Sequence, residues 1–140
     1  MVAKLSEHRI GRHVAWMGAD GVVVQRVVGP ATMDELRSIA GWERGFWEGR
    51  ASLEVLVDLS AAGPLAGSLK ELSSLYDGAP LRYVAIVGAS FSARSLANVV
   101  IRAARILSRR ALEVRFFRDE AAGRAWLAER RARPDNAAWA

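Results

Sequence analysis

Asp58 and Ser60 are the residues whose types and spacing come nearest to chemistry in this chain. They close the run Leu53-Glu54-Val55-Leu56-Val57-Asp58-Leu59-Ser60, which meets the breakers of Ala61-Ala62-Gly63-Pro64. A β-branched apolar run of this kind reads as a central strand that delivers a carboxylate and a hydroxyl to the carboxyl end of a sheet, where sites in α/β domains form. Ser90 and Ser92 follow the next apolar run, Arg82–Gly88, and would open onto the same edge. Asp58, Ser60, Ser90 and Ser92 therefore define a candidate partner or ligand edge. The plainer account is that Asp58 accepts backbone N–H bonds from the loop and Ser60 starts a turn. No glycine-rich phosphate loop, metal-ligand cluster or nucleophile elbow comes next, and no general base of suitable pKa stands beside these groups, so no enzyme is expected.

Other residue types narrow the chemistry further. Cysteine is absent, which removes disulfides, thiolate nucleophiles and cysteine-based metal sites. The two histidines, His8 and His13, are five residues apart around Gly11 and fit neither a Ser-His-Asp set nor a helical zinc pair. They read as surface or edge-strand residues, and no metal or cofactor is expected. Ser68 with Glu71 forms a capping box, and a phosphate on a serine at a helix start would be favoured by free N–H groups. Ser68 and Ser60 are the candidate phosphorylation sites, against the simpler reading that Ser68 only caps its helix.

Two side-chain patterns suggest surfaces. In the segment from Ala93 to Arg109, Leu96, Val99, Val100, Ala103, Ile106 and Leu107 make an apolar stripe, while Arg94, Asn98, Arg102, Arg105 and Arg109 line the opposite side. Arg94, Arg102, Arg105 and Arg109 form a candidate basic face for nucleic-acid phosphates, anionic lipid or an acidic partner, although a solvated face is the plainer reading. No aromatic residues interleave with these arginines, so nucleic acid is not the expected partner. Ile39, Trp42, Phe46 and Trp47 gather near Gly41, Gly45 and Gly49 and could cover an apolar pocket or form a partner patch, or pack onto the sheet.

The elements that must position these residues follow from periodicity and breakers. His13–Met17 and Val22–Val28 read as an antiparallel pair joined at Asp20-Gly21. Thr32 and Glu35 make a capping box that opens a helix expected to run to about Gly49. Strands at 53–59, 82–88 and 113–117 alternate with a short helix after Ser68, the long one from Ala93, and a last one capped by Asp119-Glu120. The order β-β-α-β-α-β-α-β-α gives an α/β fold with a mixed, mostly parallel sheet of about five strands and about four helices. Residues 1–8 are expected as a flexible N-terminus, 9–131 as one domain and 132–140 as a flexible tail.

With 140 residues and 51% hydrophobic composition, the chain can build one substantial core. Its formal charge of +5 is uneven: residues 1–90 hold 9 Lys+Arg and 10 Asp+Glu, and residues 91–140 hold 11 and 5. The basic excess therefore belongs to the C-terminal third. No apolar run reaches signal-peptide or membrane-span length, so the expected location is the cytoplasm.

The Val57-Asp58-Leu59-Ser60 strand end, the Val84-Ala85-Ile86-Val87-Gly88 strand and the closing Phe116-Phe117-Arg118-Asp119-Glu120-Ala121-Ala122 with Trp126-Leu127 resemble the STAS domain of sulfate transporters and anti-sigma-factor antagonists. The likeness is to its stand-alone bacterial branch, grouped with lipid-transfer-type domains, and covers roughly residues 9–131. It implies a non-enzymatic regulatory or scaffolding module that binds a protein partner, or in this branch an apolar, lipid-like ligand; peripheral membrane contact through the arginine face and a homodimer are separate expectations. Antagonist members are switched at a serine in an Asp-Ser-Ser-Gly stretch after the central strand. This chain reads Ala61-Ala62-Gly63-Pro64-Leu65-Ala66-Gly67-Ser68 there and lacks that pattern.

Overall fold

Strands of this chain pair in the order in which they are made. In the computed structural model, which describes residues 2–65, 69–90, 93–95, 98, 102 and 112–132, a six-stranded sheet runs β1-β2-β3-β4-β5-β6. The strands are β1 (Lys4–Ile10), β2 (His13–Gly18), β3 (Val23–Ala31), β4 (Ser52–Leu65), β5 (Leu81–Val87) and β6 (Leu112–Phe117). Helices α1 (Met33–Arg44), α2 (Leu69–Ser74) and α3 (Glu120–Ala132) join them, and residues 93–95, 98 and 102 are also helical. The first two strand pairings are antiparallel and the other three parallel, which is the mixed α/β architecture expected.

Three expectations need correction. Residues 1–8, expected to be flexible, instead contribute most of β1, an edge strand registered on β2 from Ser6↔Met17 to Ile10↔His13. The first helix ends at Arg44, where Gly45 caps it by donating its N–H to carbonyls of the last turn, and does not continue to Gly49. The central strand does not stop at Leu59. β4 runs on to Leu65 beside the end of β3, with Val28↔Ala61, Gly29↔Ala62 and Ala31↔Leu65 in register, while β5 already ends opposite Asp58. Gly63 permits this extension: a Cβ there would lie 2.8 Å from the Pro30 nitrogen and 2.9 Å from the Gly29 carbonyl carbon.

Both faces of the central strands are buried, which is why their sequences read as continuous apolar runs rather than strict alternation. One face presents Trp16, Val22, Val24, Leu56, Tyr83, Ala85 and Val87 to Trp126 and Leu127 of α3. The other presents Met17, Val23, Val27, Leu53, Val55, Val84 and Ile86, with Leu36, Trp42, Phe46 and Trp47 packed against them. Burial of a side chain the size of Leu127 is worth about 2 kcal/mol, so these contacts rather than local propensity hold the helices in place.

Ion pairs fasten α3 around its apolar centre. Arg124 reaches Asp20 at 3.1 Å, Arg130 reaches Glu113, and Arg131 reaches Glu54 at 3.2 Å and also donates to the Asp20 carbonyl. Asp20 and Glu54 belong to the acidic first part of the chain. Part of the C-terminal basic excess is therefore spent on docking the last helix.

Candidate functional site

Asp58 and Ser60 stand together at the carboxyl edge, but they are closed on each other. Asp58 Oδ1 accepts the Ser60 N–H at 2.9 Å and the Ser60 hydroxyl at 2.6 Å. Its other oxygen, Oδ2, accepts Arg26 Nε at 3.0 Å from the register-matched position of β3. Arg26 lies over the Trp16 ring and approaches Glu120 at 3.7 Å. Burial pushes the Asp58 carboxyl upward, but the hydrogen bonds from Ser60 and Arg26 outweigh it and hold the group below the ordinary carboxylate range. Such a carboxylate anchors the loop and is a poor proton acceptor at neutral pH. The exposed Ser60 hydroxyl already donates to a carboxylate, and a phosphate there would face the negative Asp58 beside Arg26.

The next loop meets this pair through its backbone. Gly88 has φ +70°, and a Cβ on it would lie 2.7 Å from the Ser60 Cβ, so only glycine lets β5 leave the sheet this close to β4. Ser90 then caps the helical residues behind it: its Oγ accepts the Ala93 N–H at 3.2 Å and its carbonyl the Arg94 N–H at 2.9 Å. Asp119, at the end of β6, accepts the Ala122 N–H at 2.9 Å in the same way. Asp58, Ser60 and the Gly88 turn thus come together, Ser90 is committed to its own helix, and Ser68 and Ser92 lie outside the described residues.

Sequence reading missed the polar group buried deepest among the described residues. Glu43 is 0% exposed and receives Arg82 at 2.8 Å and Gln25 at 3.0 Å on Oε1, and the Trp47 indole N–H at 2.9 Å on Oε2. Arg82 also stacks on Tyr76, 3.9 Å from the ring centroid. A signal was present: Glu43 stands four residues after Ile39 and seven after Leu36, on the apolar face of α1. The network ties α1, β3, β5 and Tyr76 together beneath the helix.

The aromatic candidates pack onto the sheet. Ile39 is buried, Trp42 and Phe46 meet edge to face at 5.1 Å, and Trp47 is fixed by Glu43. His8 stacks on Trp42 at 6.0 Å and pairs with Ser38 at 2.9 Å. His13, expected as a surface or edge-strand residue, is 2% exposed on β2, which lies between β1 and β3. Its Nδ1 accepts the Val28 N–H at 3.0 Å, so Nε2 carries the proton and donates to Glu35 Oε1 at 3.3 Å. Glu35 in turn closes the capping box with Thr32, whose N–H is the main reason its carboxyl lies below the ordinary range. His13 is thereby a pin between β2, β3 and the start of α1, with neither ring nitrogen open to a ligand.

A groove of about 200 Å³ lies between α1 and α2, lined by Met33, Arg37, Ala40, Arg44, Glu71, Ser74 and Leu75. Arg37 bridges Asp34 at 2.7 Å and Glu71 at 3.4 Å, and Arg44 donates to the Leu75 carbonyl at 3.1 Å. Met33, Arg37, Ala40 and Arg44 recur at helical spacing, which was legible but went unread. Of the expected basic face, Arg94 and Arg102 are exposed, with Arg94 over Phe116, while Arg105 and Arg109 lie outside the described residues.

Among the described residues, no helix is long and apolar enough to cross a membrane, and no three His, Cys, Asp or Glu residues are grouped to hold a metal. No family model matches the chain, and no curated protein is matched with significance. Among solved structures, it is similar to the 2.25 Å crystal structure of an uncharacterized protein of the DUF3478 family with a SpoIIAA-like fold, from Shewanella loihica PV-4. The two are 18% identical with a TM-score of 0.55, over 90% of this chain and 93% of that one.

Proposed function

We propose, with a SpoIIAA-like fold as the premise, that this chain is a non-enzymatic regulatory module that binds a protein partner through the groove between α1 and α2. The observation that carries the reading is the make-up of that groove: Met33, Ala40 and Leu75 beside Arg37 and Arg44 of α1, with Glu71 and Ser74 on the α2 side. Its natural occupant is a short segment with one apolar side chain and a carboxylate. Arg37 is 55% exposed and its Asp34 partner 92% exposed, so a partner's carboxylate could displace Asp34 at little cost. The closed Asp58-Ser60 pair supports a structural role for the carboxyl edge, because both carboxylate oxygens are already occupied.

The test is affinity capture from the native host, with the chain and its Arg37→Glu, Arg44→Glu double variant compared side by side. A protein retained by the original chain and lost by the variant, at unchanged circular dichroism, is the expected result. Equal retention by both would sink the groove as the binding surface. An Asp58→Asn variant should keep the partner, and its loss would move the site to the carboxyl edge.

A further inference from the structure

The two edges of the sheet are β1 and β6, and β1 carries a pattern that complements itself. The β1–β2 connection is the two residues Gly11 and Arg12, so Ile10↔His13 is the bonded closing pair of a hairpin. Main-chain N–H and C=O groups alternate in direction along a strand. Those of Ile10 and His8 therefore point toward β2, and those of Glu7 and Arg9 point away from the sheet. Among the described residues, the exposed large apolar side chains are Val2 and Leu5, at 39% and 69%, and both belong to this N-terminal segment.

We infer that this edge pairs antiparallel with β1 of a second copy of the chain, about a two-fold axis at His8. This surface is separate from the groove proposed above. In this register Glu7 lies opposite Arg9 of the second copy and Arg9 opposite its Glu7. These are the two residues whose main-chain groups face outward, so four backbone hydrogen bonds form together with two interchain ion pairs, which join the exposed intrachain Arg9–Glu7 pair at 3.0 Å into one four-charge cluster. The register centred on Glu7 sets that carboxylate opposite itself, and the one centred on Ser6 sets it opposite Leu5. Charge complementarity thus selects the His8 axis. The bulge between Lys4 and Ser6 limits the flat part of the strand to Ser6–Ile10, so the interface is small and the dimer weak, in the micromolar range or above.

Sedimentation of the full chain across micromolar to millimolar concentrations should show a reversible monomer–dimer equilibrium. Glu7→Arg or Arg9→Glu alone should raise the dissociation constant by at least about tenfold, and the two combined should restore it. Because the chain has no cysteine, His8→Cys supplies a single thiol that meets its copy on the axis, and mild oxidation should give a covalent dimer. Glu7→Cys should not cross-link, since it faces position 9 of the second copy. A monomer at millimolar concentration overturns the inference, as does a dimer indifferent to both charge reversals. Cross-linking through Glu7→Cys in place of His8→Cys overturns the register.

Discussion

The two faces of the sheet solve the same covering problem with charge in opposite places. Beneath α3 the centre is apolar, built on Leu56, Tyr83, Trp126 and Leu127, and the ion pairs of Arg124, Arg130 and Arg131 stand around its rim. Beneath α1 the carboxylate is inside: Glu43 is fully buried and holds Arg82, Gln25 and Trp47. A rim pair is shared with water and adds little, whereas a buried pair must satisfy every lone pair because water cannot. The α3 face can therefore lose a charge and remain folded, but the α1 face depends on the Glu43 network, in which Arg82 Nε is itself buried without a hydrogen-bond partner among the described residues.

The largest effect is expected from Glu43→Ala, which leaves Arg82 buried without its counter-ion and should cost about 3–5 kcal/mol in denaturant unfolding. Replacing Glu43 by Leu and Arg82 by Met together should recover a good part of that loss; if it does not, the network does more than satisfy its own members. At the carboxyl edge the sign of the pH dependence can be checked. The Asp58 carboxyl is depressed in the folded state, so its stabilisation is present above the ordinary carboxylate pKa of about 4 and disappears as pH falls through the lower folded value. Asp58→Asn should be less stable than the original chain at neutral pH, and the gap should close on acidification below about pH 4. Arg124→Ala should cost about 1 kcal/mol or less, and the difference should shrink further in high salt. A loss several times larger would erase the contrast between the faces.

The smallest effect concerns a group on the apolar side. The Tyr83 hydroxyl and the Trp126 indole N–H are buried without a hydrogen-bond partner among the described residues. Burial raises the Tyr83 phenol above its ordinary range, and Glu113 and Glu54 add to this against Arg130. Tyr83→Phe should leave stability unchanged or raise it by up to about 1 kcal/mol, read from the shift in denaturant midpoint.

Most of the architecture was legible because its strands are buried on both faces and its helix starts carry capping residues. Strands β3 to β5 announce themselves as valine- and isoleucine-rich runs, β2 and β6 as short apolar and aromatic ones, and Thr32 with Glu35 forms the capping box the spacing predicts. β1 was not legible: Lys-Leu-Ser-Glu-His-Arg-Ile lies at an edge, half in solvent, and its alternation is carried by Ser6, His8 and Ile10 rather than by three apolar residues. The extension of β4 hid behind Gly63-Pro64, which reads as a breaker until the close approach of Gly29 and Pro30 gives that glycine another purpose. At the candidate site, Asp58 and Ser60 were found but not Arg26, 32 positions from its partner, because register across parallel strands cannot be read from spacing along one of them. The same distance problem concealed the α3 clamps: Arg124 and Asp20 are 104 positions apart.

The strand order has a consequence for synthesis. Because each strand lies beside the one made just before it, the sheet can grow from β1 outward while the chain is still emerging from the ribosome, with no strand waiting for a distant neighbour. The last described element is the exception. Until Trp126 and Leu127 are made, the half-built sheet presents Trp16, Val24, Leu56 and Tyr83 to solvent on one side, and this is the interval in which a chaperone would find it and a truncated product would aggregate.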